Sequence, residues 1–217
     1  MGRDSLESPK WARETVIHGV GVYRRGKYVA SVYAGADRGR GAKRVSTREY
    51  RTWFDMLSRA YNKKYSERHP TYADVTVDSR FHDFQEFCLW GEKQVGFSKD
   101  KFELDKDILV KGNKVYSPEV CVFVPQEVNK LFTKRDAKRG EYPIGVYFDA
   151  QAGKFKAQIQ IDSVVTTLGR YDEFYDAFLA YKSAKEANIR RLGLKWKDDI
   201  DARVFAAMQT YEVDIDD

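Results

Sequence analysis

The stretch GVYFDAQAGKFKAQIQIDSVVTTLGRYDEFYDAFLAYKSAKE, residues 145–186, contains the hydrophobic alternation that decides the fold of the C-terminal part. Along residues 154–161 two kinds of side chain alternate: apolar Phe155, Ala157, Ile159 and Ile161, and polar Lys154, Lys156, Gln158 and Gln160. A period of two is typical of a strand that buries one face and exposes the other. The sequence therefore predicts a strand with an apolar inner face and a polar, partly cationic outer face.

Two further strands flank this one in the prediction. Val146 and Phe148 share the inward parity in the strand that precedes a turn at residues 150–153, which leaves Tyr147 facing outward. A second turn leads into a third strand over residues 164–171.

A helix is predicted to cover the inner face of these strands. Asp172 is its predicted N-cap. Its apolar side is formed by Phe174, Ala177, Phe178, Tyr181 and Ala184. The sequence thus predicts a three-stranded antiparallel sheet packed on a helix.

The rest of the chain predicts small mixed modules, so the expected fold class is α+β. The predicted segments are a basic N-terminal hairpin and arm at residues 1–45, a central module at 46–132, a linker at 133–141, the sheet domain at 142–195, and a C-terminal helix with an acidic, flexible tail at 196–217.

Four local signals support the assignment of the first two segments. Residues 16–33 predict a hairpin that turns between Arg24 and Lys27. Ser46 and Glu49 have the spacing of a capping box that opens a helix with a buried aromatic stripe. Ser79 is expected to cap a second helix that extends to Trp90. Residues 102–132 predict a strand, a Gly-Asn turn, a second strand and a short helix opened by Pro125.

Composition favours a polyanionic partner and excludes several classes of protein. The chain has 38 Lys and Arg against 33 Asp and Glu, a net charge of +5. Cys88 and Cys121 are the only cysteines, so neither a disulfide scaffold nor a cysteine-ligated zinc site is expected. No segment has the apolar length of a secretion signal or a membrane span, which predicts a cytoplasmic protein without a membrane partner.

The outer face of the predicted sheet suits double-stranded DNA, because Lys, Arg and Gln side chains donate to phosphates and to base edges in the major groove. The alternative is an amphipathic sheet whose outer face is merely solvated. The densest run of positive charge, residues 24–48, has two readings as well: a solvated linker, or an arm that contacts phosphates. The residues proposed for such an arm are Arg38, Arg40, Lys43 and Arg44.

The segments GVYFDAQAGKFKAQIQID, LGRYD and EFYDAFLAYKSAKE resemble the Apetala/ethylene-response-factor type of DNA-binding domain, which plant transcription factors and phage nucleases contain. The resemblance implies that the exposed strand face contacts DNA. By matching position, the implied contact residues are Tyr147, Lys154, Lys156, Gln158, Gln160 and Arg170. Two departures are Phe155 in place of the family's usual Trp and the scarcity of Arg on these strands.

Residues 50–132 resemble the HNH-like endonucleases of tailed phages, most clearly over LDKDILVKGNKVYSPEVCVFVPQEVN, residues 104–129. The resemblance implies a homing-type endonuclease with a central ββα region, which cleaves DNA with Mg²⁺ in the host cytoplasm. The implied catalytic residues are Asp105, Lys106, Asp107 and Asn129, with Asp105 and Asp107 as magnesium ligands and Asn113 as an alternative to Asn129.

Lys106 stands where the family has its catalytic histidine, and this departure leaves other interpretations open. A lysine can act as a base only if burial or cationic neighbours strongly lower its pKa, and two adjacent aspartates work against that. The LDKD segment therefore also fits a strand end with structural carboxylates. The other candidate bases are His18, His69 and His82. At the level of function the alternatives are a catalytically inactive DNA-binding or regulatory protein on the same scaffold, and a protein-interaction domain with incidental basic faces.

Overall fold

Short strands and helices are interspersed along the chain, and the computed structural model describes them over residues 14–34, 43–132 and 141–217. This mixture confirms the predicted α+β class. The chain divides into two units, residues 1–123 and 124–217. Most of the predicted linker, residues 133–140, lies outside the described ranges.

The first unit is built from short elements. In order they are β1 (Thr15–Ile17), β2 (Gly21–Tyr23), β3 (Ser31–Tyr33), β4 (Arg44–Ser46), α1 (Arg48–Tyr61), α2 (Lys63–Arg68), β5 (Thr76–Val77), α3 (Phe84–Gly91), β6 (Phe102–Asp105), β7 (Val115–Tyr116) and the first half of β8 (Val122–Pro125).

The predicted single hairpin over residues 16–33 is wrong. β1 pairs with β2, whereas β3 pairs with β4, which lies beyond this range. The chain reverses after β1 at His18 and Gly19, whose φ angles of 50° and 79° lie in the left-handed region. The predicted turn is instead a loop tied to α3. There the Gln85 side chain accepts from the backbone N–H of Tyr28 and donates to its carbonyl oxygen.

Helix α1 buries the predicted aromatic stripe in part. Trp53 and Leu57 are fully buried, and Trp53 Nε1 donates to the carbonyl oxygen of Phe81 at 2.7 Å. Phe54, by contrast, is exposed. The predicted cap is corrected: Thr47 is the N-cap and Ser46 belongs to β4.

The second predicted helix is shorter than expected and is preceded by a separate turn. Residues 79–81 form a 3-10 turn capped by Asp78, and α3 starts only at Phe84. Asp83 caps α3 by accepting from the backbone N–H of Gln85 and Glu86. Ser79 is therefore not the cap of a continuous helix, because Asp78 caps the turn and Asp83 caps α3.

Residues 102–132 contain one more strand than predicted. β6 pairs with β8, while β7, which follows the Gly-Asn turn, pairs in parallel with β5. Pro125 ends β8, and α4 (Gln126–Phe132) begins directly after it. Because α4 belongs to the second unit, the ββα arrangement of an HNH-like site stays a prediction.

The second unit contains the predicted sheet and helix. Its elements after α4 are β9 (Val146–Asp149), β10 (Lys154–Ile161), β11 (Val164–Tyr171), α5 (Phe174–Trp196) and α6 (Ala202–Thr210). The strands are antiparallel in the order β11-β10-β9. The buried core consists of Val146, Ala157, Ile159, Ala177, Phe178, Tyr181 and Val213. The predicted inward parity of β10 is thereby confirmed.

Gly145 allows the chain to enter β9 close to α5. Its φ is 79°, and a Cβ atom there would lie 2.0 Å from Cδ2 of Tyr181. A side chain at this position would therefore combine backbone strain with a clash against a core ring.

Two predicted inward residues are substantially exposed. Phe148 lies on the edge strand β9, contacts Phe155 with ring centroids 5.3 Å apart, and retains 48% of its surface. Phe174, in the first turn of α5, retains 40%. The N-cap of α5 is Glu173 rather than Asp172, whose carboxylate pairs with Lys154 Nζ at 3.1 Å.

The predicted flexible tail is packed. Val213 is in the core, and its backbone is bonded on both sides to α5: its carbonyl oxygen accepts from Lys182 Nζ at 2.7 Å and its N–H donates to Glu186 Oε1 at 3.0 Å. Two apolar residues among the acidic ones, Val213 and Ile215, explain this, because both pack against the same core.

Candidate nucleic-acid interface

A row of outward-facing side chains crosses all three strands at Lys156. The register places Lys156 opposite Tyr147 on β9 and opposite Arg170 on β11. Side chains of directly opposed residues project from the same face of a sheet. Tyr147 is 53% exposed, whereas its chain neighbour Val146 is buried in the core below. The structure thus brings three of the sequence-predicted contact residues together in one outward-facing row, in which Tyr147 and Arg170 are exposed and Lys156 is half-buried.

A carboxylate that sequence reasoning left out, Asp149, shares this face. Asp149 lies opposite Lys154, and its Oδ2 accepts from Arg170 Nε at 3.0 Å. This bond holds the pKa of the Asp149 carboxyl below its usual value. The parity of β9 contained the signal, since Asp149 lies two residues from Tyr147.

The face is therefore less cationic than the sequence suggested. Lys154 is paired with Asp172 and Arg170 with Asp149, while Lys156 forms no ion pair with any residue of the described ranges. Ion pairs that solvent can reach contribute little net stability, so a phosphate can compete for these two cations.

Two glutamines continue the polar face along β10. Gln158 Nε2 donates to Thr167 Oγ1 at 3.2 Å, and Gln160 Nε2 donates to the carbonyl oxygen of Ser163 at 3.4 Å. A β-bulge opposite Ala157 and Gln158 sets the register of this half of the sheet. As a result the exposed Val165 lies opposite Gln160. The face therefore presents an apolar side chain beside the glutamine amides.

The predicted N-terminal arm is described only in part. Arg38 and Arg40 lie outside the described residues. Lys43 and Arg44 are exposed, and Arg44 begins β4, with its guanidinium 5.5 Å from the centre of the Tyr33 ring. Both belong to the first unit.

The LDKD segment forms a tight loop whose polar groups bond to one another. Lys106 is buried, and its Nζ donates to both carboxylate oxygens of Asp107 at 2.7 Å and to the carbonyl oxygen of Asn113 at 2.6 Å. Asn113 Nδ2 donates in return to the carbonyl oxygens of Lys106 and Val115. This network joins the end of β6 to the start of β7.

The two aspartates do not fit a magnesium site in this arrangement. Oδ1 of Asp105 accepts from the backbone N–H of Asp107 at 2.8 Å and of Ile108 at 2.7 Å, and burial raises the pKa of this carboxyl. Both oxygens of Asp107 face an ammonium. Within the described ranges, no group of three or more His, Cys, Asp and Glu side chains is arranged to hold a metal ion.

The remaining candidate residues are dispersed. Asn129 lies on α4 in the second unit. His18 Nε2 is 2.8 Å from Ser58 Oγ, His82 Nε2 is 3.1 Å from the carbonyl oxygen of Val77, and His69 packs against Tyr65. Each histidine thus has a structural contact.

Comparisons with known proteins add no assignment. No protein-family model, no curated protein and no solved structure matches this chain. None of the helices in the part of the chain that the structure describes combines the length and hydrophobicity needed to cross a membrane.

Proposed function

We propose that the chain binds double-stranded DNA through the outer face of β9, β10 and β11, and that it does so without cleaving it. The observation that carries the proposal is the outward-facing row of Tyr147, Lys156 and Arg170, of which Lys156 is half-buried, on a sheet whose opposite face is buried. The resemblance to the Apetala/ethylene-response-factor type of domain supports the same face.

The dimensions of the sheet are compatible with a major groove. Neighbouring strands lie about 4.8 Å apart, so three strands span about 10 Å between the outer backbones, whereas the groove is about 12 Å wide. Lys and Arg donors suit phosphates and guanine edges, and glutamine amides pair with adenine edges.

The ion pairs on the face favour moderate, salt-sensitive binding. The face supplies three cations, Lys154, Lys156 and Arg170. Lys154 and Arg170 must each leave a carboxylate before they can contact a phosphate. With about three phosphate contacts, the logarithm of affinity should fall with a slope of about −2 to −3 against the logarithm of salt concentration.

The hydrogen bonds of the LDKD loop support binding without cleavage. Lys106 donates to Asp107 and Asn113 and so holds the loop closed where an HNH-like site would need a histidine base and an open metal position. The phage endonuclease activity implied by the resemblance remains the competing hypothesis, and a nicking assay separates the two.

The test is a titration of a mixed-sequence duplex at two salt concentrations with wild type, Lys156→Ala and Lys197→Ala. Lys197 is the matched control, since it is an exposed lysine of the same unit and lies at the end of α5, off the sheet. We expect Lys156→Ala to weaken binding and reduce the salt slope by about 1, with Lys197→Ala unchanged. Weak binding without a salt slope, or equal effects of both variants, would overturn the proposal. Preference for a single-stranded or RNA competitor would reject duplex DNA as the partner.

A further inference from the structure

The β-bulge in β11 places Thr167, rather than Leu168, on the outer face of the sheet. The register steps from Gly169, opposite Ala157, directly to Thr167, opposite Gln158. Leu168 is skipped and packs against the core instead. The hydrogen bond of 3.2 Å from Gln158 Nε2 to Thr167 Oγ1 joins two side chains that leave the sheet on the same side. Without the bulge, strand alternation would put Leu168 in that place.

The bulge also divides the outer face by charge. Beyond it lies a part that carries no formal charge, which we call the uncharged half and which consists of Gln158, Gln160, Val165 and Thr167. The part before the bulge, the cationic half, consists of Tyr147, Asp149, Lys154, Lys156 and Arg170. The two halves suit different parts of a duplex, because phosphates attract cations, whereas base edges are read by hydrogen bonds and apolar contacts.

Both glutamine amides of the uncharged half have hydrogen-bonding capacity to spare. An amide has one acceptor oxygen and two N–H donors. Within the described ranges, Nε2 of Gln158 donates only to Thr167 at 3.2 Å, and Nε2 of Gln160 donates only to the carbonyl oxygen of Ser163 at 3.4 Å. Neither amide oxygen accepts a hydrogen bond from a described residue. Each amide can therefore present a donor and an acceptor side by side to a ligand.

This pairing of donor and acceptor matches adenine. In the major groove adenine presents the acceptor N7 beside its N6 amino donor, whereas guanine presents two acceptors, N7 and O6. An amide can make two hydrogen bonds to adenine, but against guanine its own oxygen would face O6. The thymine that pairs with adenine adds a methyl group, for which Val165, 61% exposed, and the methyl group of Thr167 are apolar contacts.

We propose that the uncharged half makes duplex binding selective for A·T base pairs, with Gln158 and Gln160 bonding adenine edges and Val165 contacting thymine methyl groups. This inference rests on the proposed function, in which the outer face enters the major groove. The charges around the uncharged half are consistent with it. Arg170, the only arginine on the three strands, lies in the cationic half and is bonded to Asp149.

The first test compares wild-type dissociation constants, at one salt concentration, for three duplexes of equal length with identical flanks. About six central base pairs are either a mixed order of A and T, which avoids the narrow groove of A-tracts, or G·C, or inosine·cytosine. We expect the A·T duplex to bind about tenfold more tightly than G·C, because one bidentate amide contact discriminates by about 5- to 150-fold. Inosine keeps the major-groove acceptors of guanine but lacks its minor-groove amino group, so the inosine duplex should bind as weakly as G·C.

A second comparison isolates the thymine methyl group. Uracil in place of thymine removes that methyl group and keeps the hydrogen-bonding edges of the base pair. Wild type should bind the uracil duplex about two- to fourfold more weakly, the range expected for losing up to one buried methyl contact. Val165→Ala should show a smaller difference between the two duplexes, because it has already lost most of the apolar contact.

The third test removes the amides. Gln160→Met keeps an unbranched side chain at an exposed position and should reduce the ratio of A·T to G·C affinity to about threefold. Combining it with Gln158→Met should bring the ratio to about one. Gln151→Met is the matched control, since it makes the same change at an exposed glutamine in the turn between β9 and β10, and it should keep the full ratio. Lys156→Ala should weaken binding of both duplexes and keep the ratio.

The outcomes separate this inference from the proposed function. Salt-sensitive binding that is equal for A·T and G·C duplexes would overturn the A·T selectivity and leave the proposed function standing. An A·T preference that the inosine duplex shares, or that the double glutamine variant retains, would overturn it too, because the preference would then come from the minor groove or from DNA shape. If wild type binds none of the duplexes, the proposed function is wrong and the selectivity falls with it.

Discussion

Lys106 Nζ donates to both carboxylate oxygens of Asp107 at 2.7 Å, so an ammonium occupies the side of this carboxylate that a divalent cation would need. The Lys106 side chain is buried and that of Asp107 is partly exposed, and hydrogen bonds between charged groups at this distance are stronger than those between neutral groups. The contact between these two residues favours the structural interpretation of the LDKD segment, and a nicking assay tests the catalytic one.

We expect no magnesium-dependent or manganese-dependent nicking of supercoiled plasmid, because neither Asp105 nor Asp107 presents a free pair of oxygens to a metal ion. The measurement compares wild type with Asp105→Ala, in the presence of metal and of a chelator. Nicking by wild type that disappears in Asp105→Ala would show that the loop opens to bind metal and that the endonuclease hypothesis is correct.

Asp149→Ala should strengthen nonspecific DNA binding, because the carboxylate competes with phosphates for Arg170. Its removal frees one cation, so the salt slope should become steeper by about 1. The measurement is duplex affinity at several salt concentrations. The control is Asp198→Ala, which removes an exposed carboxylate at the end of α5; equal effects of the two changes would mean that only net charge matters.

The pH dependence of the first unit should reflect an exposed ion-pair network. Arg80 bonds Asp78 at 2.7 Å and Glu119 at 2.6 Å, and holds the pKa of both carboxyls at about 2, below the ordinary values of 3.8 and 4.5. Because the folded-state pKa values are lowered, the stabilisation is complete above about pH 4.5 and is lost as the pH falls towards 2.

Arg80→Gln should therefore lower the unfolding midpoint near neutral pH and have little effect near pH 2, where the wild type has lost most of the same contribution. The measurement is thermal unfolding of both proteins across this range. Arg68→Gln serves as the control, since it removes an exposed cation that forms no ion pair with the residues described by the structure. A difference between wild type and Arg80→Gln that persists at the acid end would contradict the assignment.

Gly145→Ala should destabilise the second unit by about 2–4 kcal/mol, because it adds backbone strain and a clash with the ring of Tyr181. Gly153→Ala is the matched control: its φ of 62° imposes strain, but nothing lies within 4 Å of the added Cβ, so about 1 kcal/mol is expected. Chemical denaturation measures both. Equal losses would show that the clash is relieved by movement of Tyr181.

Periodicity was sufficient to predict the inner face of the second unit. The alternation of Lys154–Ile161 predicted which side chains of β10 are buried, because a strand has only two faces and one of them packs against α5. The same reasoning failed for Phe148, since parity states which face a residue occupies and not whether anything covers it at the edge of the sheet.

Residues far apart in the sequence account for what could not be predicted. Asp172 was expected to cap α5, yet Lys154, eighteen positions earlier, pairs with it. The LDKD segment was correctly suspected of being a strand end, but the sequence could not show that Asn113 and Lys106 exchange hydrogen bonds across the loop.

Because Val213 packs in the core of the second unit, it limits where this unit can be cut for fusion to another protein. A fragment cut at the boundaries that the strand and helix pattern suggests, residues 142–195, would lack Val213 and the side chains of Tyr211 and Ile215 that pack beside it. Grafted onto another protein, such a fragment would expose one side of its core. The smallest fragment that keeps this core complete extends through the acidic segment beyond α6, although the sequence of that segment suggests that it is dispensable.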